Sequence, residues 1–306
     1  MADTGITKRL ARGVSRAAKD RARPALRSVA LRTLERLSEG SVLTTEYPIA
    51  SCSRYGWDER PAHGRIEEVL AQGRDDHHRT LESFEAHLPE LRAIGRRPSG
   101  RAPGWDNDWF AGLDAVALYG FIAQRQPERY VEVGSGHSTA FTRRAIDDNG
   151  LATHVTSIDP APRADIDELC DDVRRCGLEA VGADPFAELA SGDVVLIDGS
   201  HNCFMGNDVA VTFLEVLPAI PKGVLVGIDD IFLPWDYPPD WVGRWYAEQY
   251  LLATLLLTED PGWRVVLPDF WLSRDPASAA SIERFADPAH SPKFGLGGVT
   301  FWMEKT

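Results

Sequence analysis

The hydrophobic pattern changes period along the chain. Over residues 5–38 apolar residues recur at helical spacing. Ile6, Leu10, Val14 and Ala17 fall on one stripe, and Leu26, Ala30, Leu34 and Leu37 on another, with Pro24 between them. Residues 41–63 carry Pro48, Gly56 and Pro61 and read as a loop. Helical spacing returns over 64–95 through Ile66, Val69, Leu70, Leu81, Phe84, Leu88 and Leu91. His77 and His78 sit within it with no partner at i+4, so they read as surface residues rather than metal ligands. The stretch 96–104, RRPSGRAPG, is rich in helix breakers. It marks a boundary, giving three segments: a helical extension at 1–40, a helical region with linker at 41–104, and a main domain at 105–306.

In the main domain, an aromatic loop at 105–110, WDNDWF, precedes a helix over 112–124. Short apolar runs then follow at 130–133, 154–158, 178–181, 193–197 and 223–228. Helical stretches at 139–148, 165–176 and 207–217 separate them. Buried apolar strands joined by helical crossovers form a parallel sheet covered on both faces. The predicted fold is therefore α/β and doubly wound. Its ligands bind beyond the carboxyl ends of the strands.

Composition narrows the function. The 306 residues are 43% hydrophobic, enough for a full core. The longest apolar run, 250–257, is too short to span a bilayer, and basic residues interrupt any signal-peptide core. Cys52, Cys170, Cys176 and Cys203 show neither CxxC nor metal spacing, which fits reduced thiols in a cytoplasmic protein. The net charge of −13 is unevenly spread: residues 1–40 hold ten Lys and Arg against four Asp and Glu, and the rest carries the acid excess. An acidic main domain repels polyanions, so nucleic acid is not an expected partner. The basic stripe at 5–38 fits an amphipathic helix on the inner face of an anionic membrane or on an acidic partner. The competing reading is a solvated helix packed on its own domain or on a sister subunit in a homo-oligomer, or simple disorder.

The strand ends carry the chemistry. The first runs as RYVEVGSGHS into Gly134-Ser135-Gly136 and a helix, which brings bare backbone N–H groups and a helix N-terminus to a ligand. The second ends in Asp159, placed to accept ribose hydroxyls. The fourth ends in Asp198-Gly199-Ser200-His201 and the fifth in Asp229-Asp230. One such Asp is an ordinary helix cap, but several on one edge make an anionic rim. A dinucleotide fingerprint needs a small residue at position 139, which is Thr, and no arginine accompanies the glycine turn to pair a pyrophosphate. No GK[ST] follows the glycines, which excludes a P-loop. An adenosyl sulfonium, cationic and free of phosphate, matches the rim better.

The series YVEVGSGHS, SIDPAPR, DVVLIDGSH and GVLVGIDDIFLPWDYPP resembles the class I S-adenosylmethionine-dependent methyltransferases. More narrowly, it is similar to a bacterial methyltransferase-like group with E-[VI]-G-S-G and I-D-G-[SD]-H at its first and fourth strands. The resemblance covers roughly residues 100–305. It implies a Rossmann-like sheet of seven mostly parallel strands, with strands at 263–267 and 298–304 completing it and the last antiparallel. An N-terminal helical extension precedes this sheet. It further implies that Glu132, Gly134, Ser135 and Gly136 line the cofactor, that Asp159 holds its ribose, and that Asp184 and Asp198 approach it. Some members of the wider fold hold Mg²⁺ through residues at the positions of Asp198, Asp229 and Asp230, and oxygen donors suit that ion. The alternative is that Asp229 closes its strand by hydrogen bonding.

Methyl transfer requires an acceptor placed in line and relieved of its proton. His201, beside Asp198, is the candidate base, with a satisfied structural histidine as the competing reading. The aromatic segment 232–237, FLPWDY, with Trp241, Arg244, Trp245 and Tyr246, fits an acceptor wall or core filling. The expected activity is methylation, at oxygen in preference to nitrogen, of a small-molecule or sugar-like acceptor. Two other classes remain open: a non-catalytic cofactor-binding scaffold, and an NAD-type oxidoreductase.

Overall fold

The computed structural model describes residues 46–47, 52–285 and 297–306. The basic stripe at 5–38 lies outside the described residues. Seven strands form one sheet: β1 Arg129–Val133, β2 His154–Ile158, β3 Asp172–Arg174, β4 Val194–Ile197, β5 Leu225–Ile228, β6 Trp263–Pro268 and β7 Phe301–Lys305. Their order is β3-β2-β1-β4-β5-β7-β6. The first five run parallel, and β7 runs antiparallel between β5 and β6, pairing Ile228 with Phe301 and Trp263 with Lys305. Strand order reverses between β1 and β4, which opens a crevice at their carboxyl ends. This is the Rossmann-like arrangement expected from the sequence.

The central strands form for a simple reason. Tyr130, Val131 and Val133, like Val194 to Ile197 and Leu225 to Ile228, are buried on both faces, so every position gains from being apolar. Edge strand β3 differs: its three residues, Asp172, Val173 and Arg174, are only half-buried. Residues 165–176 are therefore not the helix that periodicity predicts. They hold a 3-10 turn, Asp167–Leu169, and then β3. The strand predicted at 178–181 is a single helical turn. Three half-buried residues at an edge have no apolar alternation to detect.

Eleven helices surround the sheet among the described residues: α1 Gly64–Gln72, α2 Arg74–Ser83, α3 Leu88–Ala93, α4 Gly112–Arg125, α5 His137–Asp148, α6 Leu178–Val181, α7 Asp208–Val211, α8 Leu217–Ala219, α9 Glu248–Leu256, α10 Asp269–Arg274 and α11 Ala279–Phe285. Leu70, Leu81, Phe84 and Leu91 from the first three and their connecting turn are buried in the same core as the sheet. Phe84 meets Phe121 of α4 at 5.0 Å between ring centroids. A Cβ on Gly120 would stand 2.2 Å from the Phe84 ring, so this glycine admits the contact. The breaker-rich stretch 96–104 is thus a turn within one body, Cys52–Thr306, rather than a boundary. His77 is also not a surface residue. It is buried, its Nδ1 lies 2.9 Å from the Val266 carbonyl of β6, and burial lowers its pKa.

Candidate active site

At the carboxyl end of β1 the backbone turns left-handed at Gly134, with φ of 80°. A Cβ there would lie 1.7 Å from the Asp198 carbonyl oxygen, so only glycine lets the ends of β1 and β4 approach this closely. The Gly134 N–H donates to Ile158 and the Asp198 N–H to Val133, which locks three strand ends together. Helix α5 starts at once. Thr139 accepts the Gly136 N–H at 3.0 Å and donates to Glu132. The threonine that spoils the dinucleotide fingerprint therefore ties the loop to its own strand.

Glu132 is wholly buried, with Tyr130 donating to its other oxygen at 3.1 Å. It supports the loop from beneath and is not among the residues lining the cavity. Burial raises its pKa from the ordinary 4.5 to about 7. A carboxyl raised on folding binds its proton more tightly in the native state. Its penalty is absent below about pH 4.5, grows as pH rises to about 7, and is then constant, on the order of 3 kcal/mol at most. Glu132→Gln, which mimics the neutral form, is expected to gain stability relative to wild type between pH 5 and pH 8. Urea unfolding at both values checks this; parallel pH profiles would contradict it.

The crevice holds a cavity of about 520 Å³. Gly134, Ser135, Gly136, Asp159 and Asp198 line it together, as the strand-end reading requires. Asp159 accepts the Ser135 N–H and the Ala161 N–H, each at 2.7 Å. Each carboxylate oxygen keeps a lone pair for a ligand. Ser135 is further fixed by a 2.6 Å bond between its hydroxyl and that of Ser157. Gly177, Leu178 and Glu179 also line it. Asp184 does not join them: it is exposed in the turn Asp184–Phe186 and is not among the lining residues.

The aromatic loop does reach the site. Trp109 and Phe110 line the cavity, Phe110 buried and Trp109 60% exposed. Arg163, also lining it, stacks on Trp109 at 4.1 Å. An arginine is therefore present after all, supplied by the loop after β2. Across the cavity the loop after β4 is pinned to α7: Ser200 donates twice to Asp208, and Asn207 donates to the Asn202 carbonyl. Phe204, Asn207 and Asp208 line the site but carried no sequence signal beyond standing near a strand end.

His201 departs most from expectation. Its backbone is left-handed, with φ of 58°, and its side chain is 5% exposed. Nδ1 lies 3.0 Å from Glu248 of α9, while Nε2 lies 3.1 Å from Asp198 and 3.4 Å from Asp230. Tyr246 packs on the ring at 4.7 Å. Burial alone would lower its pKa, but the bonds to Asp198 and Glu248 and the charges of Glu248 and Asp230 outweigh that and hold it well above the usual value. Both ring nitrogens are taken up by carboxylates, Nδ1 by Glu248 and Nε2 by Asp198. His201 is not a general base, because it has no lone pair to offer.

The same cluster decides the metal question. Asp229 is buried, and Thr300 donates to it at 2.7 Å. Burial and the charges of Asp198 and Asp114 push its pKa upward, and its hydrogen bond ties it to Thr300 of the chain just before β7. Asp198 and Asp230 converge on the His201 ring, whose charge stands where a cation would. The donor set Asp198, Asp229 and Asp230 does not fit Mg²⁺. Among the described residues no group of three or more His, Cys, Asp or Glu side chains is arranged to hold a metal.

Nor does the aromatic segment after β5 wall this cavity. Phe232 and Tyr237 are buried with Phe270, packed by Trp57, Trp235, Trp241 and Tyr246. Phe232 instead borders a second cavity of about 620 Å³ with Trp57, Asp114 and Arg274.

Residues 131–231 match a family model described as a methyltransferase domain. That segment therefore carries a methyltransferase domain, set on the Rossmann-like sheet described above. No curated protein matches the chain. Among solved structures it is similar to an SAH-bound methyltransferase from Podospora anserina, at 16% identity over 87% of this chain and 99% of that one, with a TM-score of 0.39. It is also similar to an O-methyltransferase from Bacillus cereus in complex with SAH, at 16% identity over 81% and 93%, with a TM-score of 0.35. Among the described residues no helix is long and apolar enough to cross a membrane.

Proposed function

We propose that the cavity at the β1–β4 crevice binds S-adenosylmethionine, and that the enzyme methylates an oxygen of a small-molecule or sugar-like acceptor. The observation that carries this reading is the convergence of Gly134, Ser135, Asp159 and Asp198 on one cavity. Asp159, fixed by two backbone N–H groups, accepts the ribose hydroxyls. The N-terminus of α5 and the loop 134–136 hold the amino-acid end. When bound, the cofactor supplies a methyl group activated by a positively charged sulfur.

Asp198 lines the cavity, and the His201 Nε2–H orients it at 3.1 Å. Of Asp198 and His201, Asp198 is the one that lines the cavity. We assign it the proton that leaves an acceptor hydroxyl as the methyl group moves. His201 acts through it as a positioning residue. An anionic rim favours a sulfonium ligand and disfavours a pyrophosphate, which argues against the NAD-type alternative.

Asp159→Ala is expected to weaken SAH binding about 10- to 100-fold, since hydrogen bonds to a charged group contribute about 1.5–3 kcal/mol. Calorimetry measures this directly. Transfer of label from methyl-labelled S-adenosylmethionine to compounds of a metabolite extract then separates an enzyme from a binding scaffold. SAH binding without any transfer would favour the scaffold.

A further inference from the structure

The second cavity, of about 620 Å³, lies at the same edge of the sheet as the first and shares no lining residue with it. Four segments converge on it: Trp57 from the loop before α1, Phe232 after β5, Phe270 and Arg274 of α10 after β6, and Val299 just before the antiparallel β7. Its inner part is aromatic. Phe232 and Phe270 are buried and stand 5.1 Å apart edge to face, with the Trp57 ring 6.5 and 6.3 Å from them. These walls are held before any ligand arrives. Trp57 Nε1 donates to the Asp236 carbonyl at 2.7 Å, the Phe232 N–H to Gln249 at 2.9 Å, and the Val299 N–H to Asp114 at 2.7 Å. The lining residues Arg274, Ala279 and Glu283 are exposed and mark the mouth. A fixed, ring-lined cavity with an open mouth suits the flat apolar face of a small molecule.

Arg274 supplies the polar anchor. Its guanidinium lies 5.0 Å from the ring centroid of Phe270, 5.9 Å from that of Trp57 and 4.8 Å from that of Trp235. Among the described residues it makes no ion pair or hydrogen bond. The acid next to it in sequence, Asp275, is taken by Arg74 at 2.8 Å and His78 at 3.3 Å. Stacking fixes the plane of a guanidinium, and its N–H donors lie in that plane, a fork that matches the two oxygens of a carboxylate. The acids lining the cavity do not fill this place: Asp114 accepts the Val299 and Thr300 N–H groups, and Glu283 stands exposed at the mouth. A cationic ligand is disfavoured, because the aromatic faces already carry the charge of Arg274.

We propose that this cavity is a second binding site, for a planar aromatic carboxylate whose ring lies on Trp57, Phe232 and Phe270 and whose acid group meets Arg274. The proposal goes beyond the cofactor reading and does not depend on it. Benzoate is the probe, titrated into the full-length protein by ligand-observed NMR, with cyclohexanecarboxylate and benzylamine as controls for ring flatness and for charge. Benzoate is expected to bind more tightly than either control, and equally well with and without saturating SAH. Arg274→Gln is expected to weaken benzoate about tenfold or more, with Arg274→Lys falling between it and wild type. Ala279→Trp, which places a ring in the mouth, is expected to weaken benzoate by at least as much, and neither Arg274→Gln nor Ala279→Trp should change SAH affinity. Both positions are exposed, so the variants should fold; thermal melting verifies it.

Absence of benzoate binding overturns the proposal, as does binding that Arg274→Gln retains in full. Tighter binding of benzylamine would make the site cationic in preference and overturn it equally. Displacement of benzoate by SAH would move the binding to the first cavity and have the same consequence. If the protein does not bind SAH at all, the cofactor reading fails by itself, and the benzoate titrations without SAH still decide this one.

Discussion

Gly134→Ala is expected to destabilise the protein by about 2–4 kcal/mol and to remove measurable SAH binding. Two costs combine at this position. A side chain at φ of 80° occupies a region that L-residues avoid, and the new Cβ would lie 1.7 Å from the Asp198 carbonyl oxygen, a backbone atom that no rotamer change can move. Relief requires β1 and β4 to part at their carboxyl ends. That separation breaks the bonds from Asp198 to Val133 and from Gly134 to Ile158, and displaces Asp159 from Asp198 across the cavity. Gly136 is the control two residues away. Its backbone is extended, with φ of 176°, and a Cβ there meets nothing within 4 Å. Gly136→Ala should therefore melt close to wild type. Thermal melting and SAH calorimetry on both variants check the pair. A Gly134→Ala protein that melts like wild type would mean the strand ends are not in contact.

The second large effect is expected at His201. Replacing it with leucine removes the charge that faces Asp198, Asp230 and Glu248, and should cost about 3–5 kcal/mol, the usual result of taking one partner from a buried ion pair. Glu248 suffers most. It is fully buried, and its Oε1 already has no hydrogen-bond partner. The double substitution His201→Leu/Glu248→Leu should recover part of the loss, because two apolar groups of similar size need no compensation. Urea unfolding of the two single variants and the double variant at pH 6 measures the coupling. Strict additivity would contradict the ion-pair account. In wild type the sign of the linkage follows from the raised pKa: the stabilisation by His201 is complete below about pH 6.5 and is lost as pH rises through the higher folded value.

The parts of this structure that could be read from sequence share a physical character. Strands β1, β2, β4 and β5 are buried on both faces or nearly so, and such strands leave short runs rich in apolar residues. Gly134, Gly136, Asp159 and Asp198 follow those strands immediately, so locating the strands located the rim. What stayed hidden depends on residues distant in the chain. His201 looked like a base because only Asp198 stood near it in sequence, whereas Glu248, 47 positions away, occupies its second nitrogen. Asp229 looked like a ligand for a similar reason, since Thr300 lies 71 positions off. Strand β3 escaped because a half-buried edge needs no apolar pattern. Arg163 was in view within SIDPAPR, but its place over the cavity depends on Trp109, 54 positions earlier, which gives it a stacking surface.

The most direct test of the central claim is a crystal structure of the protein grown with SAH. The account predicts ligand density in the β1–β4 crevice, with both ribose hydroxyls against Asp159 and the sulfur facing Asp198. Ligand bound elsewhere, or an Asp159 carboxylate left without ribose contacts, would contradict it.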